Sequence, residues 1–163
     1  MFADAIAAAE MVLAHNPAEL TAYREIGLSL LYLGRAEEAV DWFRRADMLA
    51  PDDPLRWTWL QGLSRALLQL GRDREAVSTL RLAVASNPSF ALSHALFAAA
   101  LVLVGEEAQA QAAMAAFRRT EPDTQMDVLA WHAAVPIEAT DPRYRSSNER
   151  VLEGLRRVAD FPL

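Results

Sequence analysis

The chain contains no cysteine, so it can build neither a disulfide framework nor a thiolate metal site, and a reducing compartment suits it. Glycine and proline are sparse, at 6 and 8 of 163 residues. They fall at regular places rather than in clusters, which leaves no stretch with the composition of a linker or a low-complexity segment. Positive charge is in deficit, the formal net charge being -6. A sequence-independent grip on nucleic acid needs a basic surface, and so does attraction to an anionic membrane; both are disfavoured as partners against a protein. Long apolar runs are missing too, none approaching the roughly 18 residues of a membrane span. The stretch 1–13 has the apolar look of a signal peptide but lacks a basic start and is interrupted by Asp4 and Glu10, so it reads as an amphipathic helix. These absences point to the cytoplasm. What is present, 53% hydrophobic and 23% charged residues, is the balance of one folded domain with a sizeable core.

The most informative feature is a period. Pro17, Pro51, Pro88 and Pro122 are spaced by 34, 37 and 34 residues. Gly34, Gly71 and Gly105 are spaced by 37 and 34, and Ala5, Ala39, Ala76 and Ala110 by 34, 37 and 34. The segment 33–39, Leu-Gly-Arg-Ala-Glu-Glu-Ala, returns at 70–76 and, more divergent, at 104–110. Large apolar residues follow four positions later at Phe43, Leu80 and Met114, and Ala46, Ala83 and Phe117 three after those. Each glycine ends an apolar-periodic segment, where a left-handed cap suits it. Asn16-Pro17, Asp53-Pro54 and Asn87-Pro88 place a capping side chain before a proline, the expected start of a helix. Small residues such as Gly27, Ala39 and Ala46 allow two helices to approach, with Phe43 and Leu80 filling the space between successive ones.

A helix-turn-helix unit of about 34 residues with Tyr23, Ile26-Gly27, Leu30, Ala39, Phe43, Ala46 and Pro51 resembles the tetratricopeptide-repeat (TPR) family. The match runs over residues 2–122. It implies an all-α TPR solenoid of antiparallel helix pairs: a half repeat at 2–17, full repeats at 18–53, 54–88 and 89–122, and an extension at 123–163. The helices fall near 2–15, 18–33, 36–49, 54–70, 73–86, 89–104 and 106–120, with the insertion Pro54-Leu55-Arg56 adding nearly a turn to one start. A short helix is expected at 124–133. Ser146-Ser147-Asn148-Glu149 reads as a capping box that opens a terminal helix through Val151, Leu152, Leu155 and Val158, the cap an exposed solenoid end needs. The segments 53–62 and 149–157 further resemble the C-terminal TPR tails of alphaproteobacterial multidomain regulators, in which the tail follows a class III adenylate cyclase or a winged-helix domain. That likeness implies a regulatory role. The chain also begins inside a repeat, which suits a fragment or relic of such a regulator, or a unit completed by a partner or a second copy.

The resemblance implies a binding face on the concave side, lined by the first helix of each pair. The positions are Thr21, Arg24, Leu28, Leu31 and Tyr32, then Thr58, Gln61, Arg65, Leu68 and Gln69, then Leu92, Ala95, Ala99, Val102 and Leu103. Such a groove would take a peptide or partner helix in its mixed-polar part, while the terminal helix covers its apolar part. Some TPR domains hold a C-terminal carboxylate with a Lys/Asn clamp; here Leu28 stands at the Asn position and the groove has no lysine, which disfavours that mode. Trp57 and Trp59 lie on different faces of one helix, so only one of them should be fully buried. Trp42 and Trp131 read as packing residues. His15, His94 and His132 have no metal-ligand spacing, and no nucleophile triad or phosphate loop is present. Glu37-Glu38, Glu106-Glu107, Arg118-Arg119 and Arg156-Arg157 sit where helix dipoles favour them. No catalytic residue, metal or cofactor is therefore expected. Phe117, in place of a small residue, packs on the terminal helix or, with Phe97 and Trp131, lines an apolar pocket. The reading is a protein-interaction scaffold with self-association open to it; the alternative is the non-catalytic tail of a multidomain enzyme such as a cyclase.

Overall fold

A computed structural model of the chain describes residues 1–120, 136 and 138–159. Among the described residues are eight α-helices and no strand: α1 (Phe2–His15), α2 (Leu20–Tyr32), α3 (Ala36–Leu49), α4 (Arg56–Gln69), α5 (Asp73–Ser86), α6 (Ala91–Leu103), α7 (Glu107–Thr120) and α8 (Pro142–Ala159). Each of α1 to α7 packs on the next, and α2 also touches α4, which is the stacking of a TPR-like solenoid. The short helix expected at 124–133, along with Trp131 and His132, lies outside the described residues.

The glycine period has a direct physical cause. Gly34, Gly71 and Gly105 have φ of 72°, 70° and 81°, the left-handed region that side chains avoid. Each closes a Schellman motif. The Arg35 N–H reaches the Leu30 carbonyl at 2.9 Å and the Gly34 N–H that of Leu31 at 3.0 Å; the pairs Arg72–Leu67 with Gly71–Leu68 and Glu106–Leu101 with Gly105–Val102 repeat the pattern. Every turn inside a pair therefore has one shape, and the second helix always returns along the first.

The prolines act differently from the expectation. Helix α2 starts at Leu20, so Pro17 stands in the turn before the helix, not in its first turn. Asn16 accepts from the Ala18 N–H at 3.2 Å, an Asx-turn, and Glu19 caps the helix by accepting from the Thr21 N–H at 3.4 Å. The insertion 54–56 likewise lengthens the turn: Asp53 accepts from the Leu55 N–H at 2.7 Å and holds Pro54 and Leu55 outside a helix that begins at Arg56. The capping box at Ser146 is not a start either. Helix α8 begins at Pro142, and Asp141 accepts from the Arg143 N–H at 2.8 Å. Aspartate followed by proline at the first helical position is the stronger signal, and it places Ser146 inside the helix.

Small residues decide how closely the stack packs. Phe43 is fully buried, and its ring lies where side chains on Gly27 of α2 and Gly62 of α4 would be; a Cβ on Gly27 would stand 2.7 Å from the ring. One aromatic thus wedges two first helices against one second helix. Ala39, Ala46, Leu80, Ala83 and Ala110 are likewise 0% exposed. Two repeats share a hydrogen bond at equivalent positions: the Tyr23 hydroxyl donates to the Pro17 carbonyl at 2.9 Å, and His94 Nε2 to that of Pro88 at 2.8 Å. His94 is thereby a structural clasp. Trp59 is buried at 2% exposure, and its indole N–H and the guanidinium of Arg56 both reach Asp47, at 3.2 and 2.7 Å. Burial alone would raise the Asp47 pKa, but these hydrogen bonds and the Arg56 charge outweigh it and hold the carboxyl below its usual range. Trp57 is half-buried, its ring 4.3 Å from that of Phe90.

Candidate binding groove

Helix α8 divides the concave face. It packs chiefly on α6, then on α4 and α7. Of its buried residues, Tyr144, Asn148, Val151, Leu155 and Val158 recur at steps of 4, 3, 4 and 3, one continuous helical stripe, with Leu152 and Gly154 buried beside it. Asp141 sits over Gly34, at the end of α2. The Tyr144 ring packs edge-on against Tyr32, 5.2 Å between centroids, and the Arg65 guanidinium donates to the Tyr144 hydroxyl at 3.0 Å. Burial pushes the Tyr144 phenol above its ordinary pKa, with the Arg65 cation pulling the other way. Further along, Arg150 donates to the Leu68 carbonyl at 3.0 Å and to Asp73 at 2.7 Å. Gly154 lies on the α6 backbone, where a Cβ would stand 3.0 Å from the Ala99 oxygen. Arg157 then meets Glu107 of α7 at 3.5 Å. Helix α8 therefore crosses the C-terminal halves of α2 and α4 and the middle of α6.

Several expected groove residues lie in or beneath this lane. Tyr32, Arg65 and Gln69 face α8; Leu31, Leu68, Ala95, Ala99 and Val102 are at most 2% exposed, and Leu92 is 8% exposed. Leu28 and Leu103 pack against the core. The seal over Gln69 is imperfect. Both its amide nitrogen and its amide oxygen are buried without a partner, as is one Asp73 oxygen. Each such atom costs about 1–3 kcal/mol.

The N-terminal halves of α2 and α4 stay open. Thr21, Arg24 and Thr58 line a pocket of about 210 Å³ together with Glu19, Leu20, Asp53, Leu55 and Trp59. Its two acids are already engaged: Glu19 with the Thr21 backbone and hydroxyl, Asp53 with the Leu55 N–H. Thr58 donates to the Leu55 carbonyl at 2.8 Å. Arg24 makes no hydrogen bond or ion pair with any described residue, and its Nε is buried without a partner. Gln61, one repeat on from Arg24, has its amide nitrogen in the same condition. Neither acid of the pocket pairs with Arg24. The lining from Glu19, Leu20, Asp53 and Leu55 escaped the sequence reading, because residues in the turns and at the very start of a helix carry no helix-face signal. Trp59 was visible only as a packing residue.

Among the described residues no cluster of three His, Asp or Glu could hold a metal, and no helix is long and apolar enough to cross a membrane. Phe117 is buried at 8% exposure within the core cluster.

A stack of helix pairs with a grooved concave face is a repeat-scaffold fold. The tetratricopeptide-repeat pattern matches residues 20–53 and 60–90, so the chain carries two recognisable TPR units within its solenoid. No curated protein matches the chain in sequence. Among solved structures it is similar to the crystal structure of MamA, with a TM-score of 0.67 and 18% identity over 98% of this chain and 92% of that one. Residues 41 to the end of MamA from Desulfovibrio magneticus RS-1 give 0.66 and 17%, covering 98% and 84%. YrrB, described as a TPR protein with an unusual peptide-binding site, gives 0.63 and 21%, covering 98% and 77%. These likenesses concern the fold.

Proposed function

We propose that this chain is a regulatory protein-interaction scaffold without chemistry of its own, which holds a peptide of a partner protein across the open part of its concave face. The observation that carries the reading is Arg24. A half-buried cation lines an apolar pocket and pairs with no described residue, while the neighbouring carboxylates of Glu19 and Asp53 each accept from their own turn rather than from it. A carboxylate or main-chain carbonyl from a peptide supplies what is missing, and Leu20, Leu55 and Trp59 receive its apolar neighbours. The peptide site named for YrrB supports the reading as an analogy of fold.

The test is affinity capture from the native lysate, with Arg24→Met as control; this keeps the apolar stem and removes the charge. A protein captured by the parent and lost by the variant at unchanged helicity supports the groove. An identical set from both moves the site elsewhere. A second reading, self-association, is favoured by α1, where Met11 and Val12 are 64% and 45% exposed beside a groove with α2. Val12→Glu would then abolish a dimer seen by light scattering. Either mode suits the regulatory tail of a multidomain enzyme, the alternative that the narrower resemblance implies.

A further inference from the structure

We infer that the lane occupied by α8 is itself a binding site for an amphipathic helix, that α8 is its resident ligand, and that a partner helix of matching pattern takes the seat by displacing it. The inference rests on the scaffold reading above and adds the class of ligand and the means of access.

Three observations carry it. The contact has the form of ligand recognition rather than of another repeat: one stripe of Tyr144, Asn148, Val151, Leu155 and Val158 enters the groove, and polar pins from Tyr144 to Arg65 and from Arg150 to Leu68 and Asp73 fix its register. The site reads shape as well as polarity, since a Cβ where Gly154 stands would be tight against Ala99, 3.0 Å from its backbone oxygen, and a larger side chain would force the helices apart. The match is also incomplete. Both amide atoms of Gln69 and one oxygen of Asp73 lose water under or beside α8 and gain nothing in return. A helix that offers an amide or hydroxyl to Gln69 would bind better than the resident one. The Tyr144 pin is buried, but Arg150 and the Arg157 that meets Glu107 are half-exposed, at 40% and 51% side-chain exposure, so water can compete for this end of the helix as it lifts.

The fitting ligand follows from the pattern. It is an amphipathic helix with an aromatic hydroxyl at one end, an arginine six positions on, apolar residues seven, eleven and fourteen positions on, and a glycine at the tenth. When α8 leaves, α6 presents an almost wholly apolar face, so only a helix with a continuous apolar stripe can replace it.

The experiment uses the full chain and a labelled synthetic peptide of residues 139–159, read by fluorescence anisotropy. Gly154→Leu in the chain pushes the resident helix off the Ala99 backbone, and Arg150→Glu loosens it without added bulk. Both variant chains should bind the peptide at least tenfold more tightly than the parent does, with hydrogen exchange faster throughout α8 and unchanged in α3. A peptide that itself carries Gly154→Leu should bind none of them. Equal binding by parent and variants, or cooperative unfolding of the whole domain in both variants, overturns the inference by making α8 part of the fold. A parent dimer with exchanged α8 helices, found by light scattering, also overturns it, because the seat would then serve a second copy. Arg24→Met should leave this binding unchanged, so failure of the open-pocket reading and failure of this one are separable.

Discussion

Phe43 offers the sharpest test of how the stack is held. Its ring is 0% exposed and lies against Gly27 and Gly62, which have no side chains to move into a void. Phe43→Ala should therefore fall high in the range for such truncations, about 4–5 kcal/mol. At this chain length that corresponds to a fall in Tm of about 10–20 °C. Gly62→Ala alone brings two opposed effects: about 1 kcal/mol gained in helix propensity and about 1–3 kcal/mol lost as the new methyl meets the Phe43 ring. The single change should be neutral to mildly destabilising. Combined with Phe43→Ala, the same methyl enters vacated space and stabilises. The coupling should thus exceed about 1 kcal/mol, with a change of sign in the effect of Gly62→Ala. Urea unfolding followed by circular dichroism measures all four corners of the cycle. Additivity within about 0.5 kcal/mol would refute the wedge.

Gly34 and Gly71 share the left-handed conformation, but a Cβ on Gly34 would meet Asp141 while one on Gly71 would meet nothing. Gly71→Ala should cost about 1–2 kcal/mol from conformation alone, and Gly34→Ala more than that, with α8 exchanging faster in deuterium labelling. Asp47 titrates below its usual range in the folded chain, so its contribution is present above the unfolded value of about 3.9 and is lost as pH falls through the folded value. Asp47→Asn should accordingly flatten the stability profile on the acid side of about pH 4 in urea titrations. Ala83→Glu places a carboxylate at a fully buried helix contact, and calorimetry should find no folded domain or a single transition at much lower temperature.

The repeat was legible because it is local. A glycine with positive φ after each first helix and an alanine at each close contact leave a mark at a fixed spacing, and α1, α3, α5 and α7 lie within a residue of where that spacing puts them. The turn prolines misled because an Asx-turn at Asn16 or Asp53 closes the connection before the helix begins. That the terminal helix covers the apolar part of the groove on α6 could be read from the groove positions; the register of α8 and its reach to α2 and α4 could not, for a different reason. Its seat is built from Tyr32, Arg65, Leu68 and Ala99, residues far from it in sequence and on three separate helices, and no period links them to Tyr144 or Gly154. Asp141-Pro142 did carry the start signal, yet Ser146 and Glu149 imitate one a turn later. Arg24 could be named from its repeat position, but that neither acid of the pocket pairs with it is visible only once Glu19 and Asp53 are seen to be engaged by the backbone.

The central claim, that the open part of the concave face reads a peptide acceptor through Arg24, is tested most directly by selection from a displayed random-peptide library against the parent chain and Arg24→Met. The account predicts that the parent enriches a family of sequences sharing an acidic residue or a free C-terminus beside apolar residues, and that the variant, equally folded, does not. Enrichment of the same family by both chains, or of none by the parent, would contradict it.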